Sequence, residues 1–341
     1  MQDNLFVATV SKNYMDQAFK ELLDLDQGLK LVKQFESGMM IFRPAMEKEK
    51  FSSDLVEKKP VFIRHVNSID YSVDISEGID IEAILETIRS YRSQIGEDDN
   101  VGVQIRKAKG EYELNSTEMK EAIDKVLMEE MKAMPQTKEP DKVISIVFAE
   151  SICYIGLSKA PDNISSWSGG MIHYKKEFDD VSRAKYKLME VMYIFGIDLA
   201  EIKSALDLGA APGGWTSVLL EHGIRVTAVD TRTMEKRLSD NPNFTRINKS
   251  LEGLELELDS LFDMITFDMS MNPYKAAGII ISSAKYLKVE GIAVITVKLA
   301  NDKIWKSLKE VMKKYSEVFE ILGAKQLFHN RDEITLFLKK R

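Results

Sequence analysis

The run Leu206-Asp207-Leu208-Gly209-Ala210-Ala211-Pro212-Gly213-Gly214, followed by Trp215, carries the clearest chemical signal in the chain. An apolar stretch from Ser204 to Leu208 stops at Gly209, crosses a short Gly/Pro loop and becomes helix-periodic, which reads as strand, tight turn and helix start. A helix start presents unpaired backbone N–H groups and the positive end of the dipole to an anionic group. Glycine lets the backbone approach a ligand, and Pro212 stiffens the loop. The loop lacks the Lys-Ser/Thr ending of a phosphate-binding P-loop and the G-x-G-x-x-G spacing of dinucleotide binders. A plain strand-to-helix connection is the alternative, but it does not require three glycines and a proline. RVTAVD (225–230) reads as a second short strand ending in Asp230, where a carboxylate can accept hydrogen bonds from a ribose diol. Loop and acid together indicate a site for a nucleoside-containing cofactor. Further charges stand where no hydrophobic pattern explains them. Asp268 closes FDMITFD, Lys298 follows AVITV, Glu333 opens EITLFLKK, and Lys187 lies on a helix ahead of the cofactor strand. A snorkelling strand-end lysine is the bland reading of Lys298, and a solvated acid beside Asp332 that of Glu333.

The elements that must position these residues follow from periodicity. From Phe178 onward the pattern predicts strands at 204–208, 225–230, 263–268 and 291–298, with helices at 213–222, 274–287 and 302–315. Two more strands are expected near 319–328 and 333–339. This is a Rossmann-like, doubly wound α/β domain over 178–341, with ligand and chemistry at the C-terminal ends of its parallel strands. Before it, residues 161–177 are polar and Gly/Ser-rich and read as a linker. Residues 1–46 read as a small α+β unit of strand LFVATV, helix 15–25 and strand GMMIFRP. Residues 47–160 read as a second α+β domain. Its expected elements are PVFIRHVNSIDYSVDI as strand, a helix at 81–93, strand VGVQIRKA, a helix at 116–131, and strands KVISIVFA and SICYIGLS.

At 341 residues the chain has room for two or three domains, and its apolar runs are far too short to span a bilayer. No export signal is visible, so a cytoplasmic location is expected. The single cysteine, Cys153, excludes an internal disulfide and a cysteine-based zinc site, and it reads as a small buried hydrophobe. Four scattered histidines give no metal-ligand spacing, so no metal is expected. The net charge of −7 is unevenly placed: residues 1–160 carry 21 Lys and Arg against 29 Asp and Glu, whereas residues 161–341 carry 26 against 25. Lysines 303, 306, 309, 313, 314 and 325, with Arg331, Lys339, Lys340 and Arg341, bias the last segment towards the basic. They read either as a solvated face or as a track for phosphates.

DLGAAPGGWT resembles the S-adenosylmethionine loop of the FtsJ-type RNA ribose 2'-O-methyltransferases. The order WSGGM (167–171), SRAKYKL, DLGAAPGGWT, GIRVTAVD and DMSMNP is similar to that of the RlmM-type group, which methylates a cytidine ribose of 23S ribosomal RNA. The strand and helix order of the upstream region resembles a THUMP-like RNA-binding domain. The resemblance implies S-adenosylmethionine as cofactor, held by Ser182, Asp207, Gly209, Ala211, Pro212, Gly213, Gly214, Trp215, Asp230 and Asp268. It implies 23S ribosomal RNA or a ribosomal subunit precursor as substrate, and no membrane partner. Lys187, Asp268, Lys298 and Glu333 fall where the family carries a Lys-Asp-Lys-Glu tetrad. In methyl transfer to a ribose hydroxyl, Lys298 would be the general base, kept partly neutral by Lys187 and the cofactor charge. Asp268 would position Lys298, Lys187 would stabilise the developing alkoxide, and Glu333 would orient the lysines or the ribose. Ser250 stands where relatives place an acid after the third strand, so adenine recognition there is expected to differ.

Two other readings remain open at this point. One is a methyltransferase acting on a non-RNA substrate, against which the two lysines framing Asp268 argue. The other is a non-catalytic RNA-binding or ribosome-assembly factor on the same fold, against which the intact Lys187, Asp268 and Lys298 argue.

Overall fold

The structure, a computed structural model, describes residues 4–110, 112–175, 178–257, 261–299 and 304–341. The chain divides into two compact units, Met1–Met171 and Ile172–Arg341.

The first unit holds two sheets. β1 (Leu5–Val10), β2 (Lys30–Phe35), β3 (Met39–Arg43) and β4 (Ile63–Ile69) form an antiparallel sheet in the order β2-β3-β1-β4, with α1 (Met15–Leu25) and α2 (Lys48–Lys58) between strands. The expected boundary at residue 46 therefore gives way, because β4 pairs with β1 from beyond it. The second sheet takes β5 (Tyr71–Asp74), β6 (Asn100–Lys109), β7 (Met134–Pro135), β8 (Lys142–Ala149) and β9 (Ile152–Lys159) in the order β5-β9-β8-β6-β7. Helices α3 (Ile81–Arg89) and α4 (Ser116–Val126), capped by the side chains of Asp80 and Asn115, lay Ile84, Ile88 and Ile123 against Ile144, Ile146 and Ile155. Cys153 is buried in this core, which pushes its thiol up to about 12.

The stretch expected as one strand, 60–75, is two strands in two sheets. Asp70 makes the break. Its buried carboxylate accepts from the Tyr91 hydroxyl (2.9 Å) and the Leu157 N–H (2.8 Å) and pairs with Lys48, tying the chain to β9 as it leaves β4. The expected linker is also structured in its first part: short 3-10 turns occupy Ala160–Asn163 and Ser168–Gly170.

The second unit is a seven-stranded sheet in the order β12-β11-β10-β13-β14-β16-β15. Its strands are β10 (Ser204–Leu208), β11 (Arg225–Val229), β12 (Phe244–Ile247), β13 (Phe262–Phe267), β14 (Leu287–Lys298), β15 (Phe319–Lys325) and β16 (Glu333–Lys340). The first five are mutually parallel, and β16 runs antiparallel to both its neighbours. Helices α5 (Ala184–Phe195) and α6 (Gly214–Glu221) pack Leu188, Val191, Val218 and Leu219 onto Ala205, Ala228, Met264 and Val294. α7 (Pro273–Ser283) packs on α8 (Ile304–Tyr315). Right-handed crossovers place α6 and α7 on opposite faces of the sheet. α7 starts at Pro273, with the Asn272 side chain accepting from the N–H groups of Tyr274 and Lys275, a cap worth about 1 kcal/mol. It ends at Ser283, short of the expected 287, and a 3-10 turn leads into β14, which starts four residues earlier than expected. Asp302 and Lys303, the first two residues of the expected helix at 302–315, lie outside the described residues. Among the described residues no helix is long and apolar enough to cross a membrane.

Candidate active site

The sheet reverses its strand order between β10 and β13: β11 and β12 extend to one side, β14 to the other. A crevice opens at the carboxyl ends of strands at such a point. The Gly/Pro loop leaves β10 there, Asp230 leaves β11, and Asp268 leaves β13.

The loop is tightly walled. Gly209 (φ +73°) and Gly213 (φ +117°) hold left-handed conformations, and a Cβ at Gly209 would lie 2.2 Å from the Met269 side chain. A Cβ at Gly214 would lie 2.2 Å from Ser182 Oγ, so Ser182 is pressed against the start of α6. Gly213 caps α6 without a side-chain hydrogen bond, so the first N–H groups of the helix receive no side-chain cap. Ala211 donates its N–H to Asp230 at 2.9 Å. Arg232 also holds Asp230, through its backbone N–H (2.8 Å) and its guanidinium (3.1 Å). Burial works against the Asp230 charge, but the Arg232 and Ala211 bonds outweigh it and hold the carboxyl below its ordinary range.

Two residues expected at the cofactor turn their side chains inward. Asp207 is 2% exposed, and its two oxygens accept from Thr216 (2.6 Å) and Thr266 (2.9 Å). Burial pushes this carboxyl up to about 6, against the lowering effect of both threonine bonds. Its contribution is to pin the end of β10 to α6 and β13. Trp215 is likewise buried, its indole N–H donating to Ala184 O at 2.9 Å. It locks α6 to the start of α5, which carries Lys187. Ser250 lies in an exposed turn after β12, accepting from the Glu252 N–H at 3.3 Å.

The four charged residues come from four elements to one place. Lys187 on α5 donates to both oxygens of Asp268 (2.7 and 3.0 Å) and lies 3.0 Å from Glu333 Oε1, its side chain 11% exposed. Lys298 and Glu333 stand directly opposite each other in the antiparallel register of β14 and β16. The expected pairing of Asp268 with Lys298 is not the one formed. Asp268 accepts instead from Lys187 and from Thr296 Oγ1 (3.0 Å), while Lys298 donates to Ser270 Oγ at 2.9 Å. The reason is that Lys187, on a helix packed over the sheet, reaches the strand-end carboxylate directly. Lys298, at the tip of β14, extends towards the turn after Asp268. Sequence reasoning missed Ser270 and Arg232. Each stands two residues after a strand-end acid, and that spacing was the available signal.

Residues 181–320 match the family model of the FtsJ-like methyltransferase, and residues 80–158 that of the THUMP domain. The first match falls in the second unit and the THUMP match in the first. The chain is 30% identical over 231 residues to the "Ribosomal RNA large subunit methyltransferase M" of Yersinia enterocolitica, covering 62% of this chain and 61% of that one. To the protein of the same name from Pseudomonas aeruginosa it is 28% identical over 202 residues, 55% of each. The chain thus spans about three fifths of the length of the curated relatives it matches. TrmN from Thermus thermophilus aligns over 99% of each chain with 13% identity and a TM-score of 0.41.

The cofactor of an FtsJ-like methyltransferase domain is S-adenosylmethionine, and the residues present fit it. Asp230 would offer a carboxylate to the ribose diol, and the α6 start would offer N–H donors to the carboxylate of the methionine part. Asp230 and Asp268, leaving the ends of β11 and β13, place carboxylates beside a crevice that must receive a cation.

Proposed function

We propose that this protein transfers a methyl group from S-adenosylmethionine to a ribose 2'-hydroxyl of RNA, with 23S ribosomal RNA or its assembling subunit as substrate, in the cytoplasm. The observation that carries this reading is the placement of Lys187 between Asp268 and Glu333, with Lys298 opposite Glu333, at the strand ends that border the glycine loop. Bound S-adenosylmethionine supplies a methyl group already activated by its sulfonium. What the protein must then provide is orientation, exclusion of water and a destination for the hydroxyl proton.

The two lysines divide these tasks. Lys187 is clamped by two carboxylates, which fixes its position and suits it to face the oxygen as negative charge develops there. Lys298 donates, among the described residues, to a neutral hydroxyl, and is the lysine suited to take the 2'-hydroxyl proton at Nζ. Ser270 orients it. Asp268 and Glu333 act on Lys187, and Glu333 also borders Lys298 across the two strands. The THUMP domain upstream supports RNA as the substrate class.

The test is incubation of the purified protein with labelled S-adenosylmethionine and ribosomal RNA from a strain lacking the gene, followed by mapping of 2'-O-methyl groups. One new 2'-O-methyl is expected. Lys298→Ala should abolish transfer while S-adenosylhomocysteine binds as before. Label in protein and none in RNA, or undiminished turnover by Lys298→Ala, would overturn the assignment.

A further inference from the structure

The loop joining β15 to β16 carries Phe328 and His329, and the segment leading towards α5 carries His173 and Tyr174. With Tyr186 of α5 their rings form one continuous array. His173 meets Phe328 edge to face (centroids 5.4 Å apart), and Phe328 meets His329 in the same way at 5.1 Å. His329 lies 5.7 Å from Tyr174 and 5.8 Å from Tyr186, and the two tyrosines stack at 5.6 Å with planes 9° apart. Tyr186 is buried, Tyr174, Phe328 and His329 are half-buried, and His173 is exposed.

A dedicated clamp holds this array. Glu190, one turn beyond Lys187 on α5, is fully buried. Its Oε1 accepts the Phe328 N–H at 2.7 Å, and its Oε2 accepts the His329 N–H at 2.9 Å and bonds His329 Nδ1 at 2.7 Å. Burying a carboxylate to fix two neighbouring aromatic residues costs desolvation that an apolar contact would not. The array is thereby held rigid while Phe328 and His173 still meet solvent. It also shares both of its supporting elements with the charged site: Tyr186 directly precedes Lys187, and three residues separate His329 from Glu333.

We propose that His173, Tyr174, Phe328 and His329 form a stacking platform for a nucleobase of the RNA, placed to hold the nucleotide whose ribose reaches Lys187 and Lys298. The inference rests on the ribose-methylation reading above. Proteins that recognise RNA favour unpaired nucleotides, whose bases can be splayed out and stacked on aromatic and histidine side chains. Rings rather than aliphatic side chains suit this task, since every base offers a flat face and stacking tolerates any base identity.

The test uses the full-length protein, a single-stranded RNA pentanucleotide containing 2-aminopurine, and the ribosomal RNA transfer assay. Fluorescence of the 2-aminopurine should fall on binding to the unsubstituted protein. Phe328→Ala and His173→Ala should lose that quenching and raise KM for ribosomal RNA by about 10-fold to 100-fold, the range that loss of one stacked base gives. Both should bind S-adenosylhomocysteine as the parent does, and Phe328→Trp should restore quenching and KM. Parental KM in both alanine variants would overturn the platform while leaving the methylation reading intact. So would a Phe328→Trp protein as impaired as Phe328→Ala, which would assign Phe328 to packing. Absence of any transfer to RNA by the parent protein would remove both readings.

Discussion

Asp207→Asn is expected to stabilise this protein at neutral pH, although it alters the motif that first marked the site. Asp207 is buried, with a carboxyl pushed from its ordinary value near 3.8 to about 6. In the unfolded chain it titrates at the ordinary value, so between these limits the folded state holds more protons than the unfolded state. Stability from this group is therefore fully present below pH 3.8 and is lost as pH rises through about 6. Each tenfold change in proton affinity is worth about 1.36 kcal/mol, so the charged carboxylate costs about 3 kcal/mol at pH 8. Asparagine keeps both threonine contacts, accepting from one hydroxyl and donating to the other, and carries no charge. The assay is urea unfolding of the parent and variant chains from pH 4 to 8, followed by tryptophan fluorescence. Titrations common to both proteins cancel in the difference, which should grow by about 2.4 kcal/mol in favour of the variant between pH 4 and 7. S-adenosylhomocysteine affinity should change little, because the carboxylate faces Thr216 and Thr266 rather than the crevice. A flat difference, or a variant less stable than the parent at pH 8, would refute the reasoning and make the two hydrogen bonds worth more than the charge costs.

Arg232→Ala should raise the affinity for S-adenosylhomocysteine by up to about fivefold in calorimetry at low salt. The guanidinium occupies lone pairs of Asp230 that a ribose diol needs, and a pair whose cation lies in solvent is worth about 1 kcal/mol. Gly214→Ala should abolish that binding and lower thermal stability, since its Cβ would meet Ser182 Oγ at 2.2 Å; adding Ser182→Gly should recover part of the lost melting temperature. Glu190→Gln should destabilise the chain by about 1–3 kcal/mol in urea unfolding, because its amide group opposes one of the N–H donors it must accept. Amide exchange at Phe328 and His329 should accelerate in the same variant.

Four of the five parallel strands of the second unit were legible because strands covered on both faces are continuous apolar runs, as in β10, β13 and the second half of β14. Elements lacking such burial left no comparable trace. β12 is an edge strand of mixed exposure, β2 is exposed along five of its six residues, and α2 is dominated by charged and polar side chains. The passage from β4 to β5 has no glycine or proline to mark it, since a buried carboxylate at Asp70 makes the turn instead. At the site, residue types and strand-end positions identified Lys187, Asp268, Lys298 and Glu333 as candidates. Which lysine meets which acid could not be read, because it depends on where α5 lies over the sheet. Glu190 was equally invisible: its partners, two backbone N–H groups and one imidazole, lie about 140 residues away.

The strand order at one side of the sheet has a consequence for assembly. β15 precedes β16 in the chain, yet β16 lies between β14 and β15. β15 therefore has no edge to join until β16 has docked, and the apolar edge of β14 stays open until the same moment. Because β16 opens with Glu333, the step that closes this edge also delivers the acid facing Lys298. A chain emerging from synthesis can fold the cofactor crevice well before it completes the charged cluster. Binding of the nucleoside cofactor would then be an early property of the growing domain, and turnover a late one.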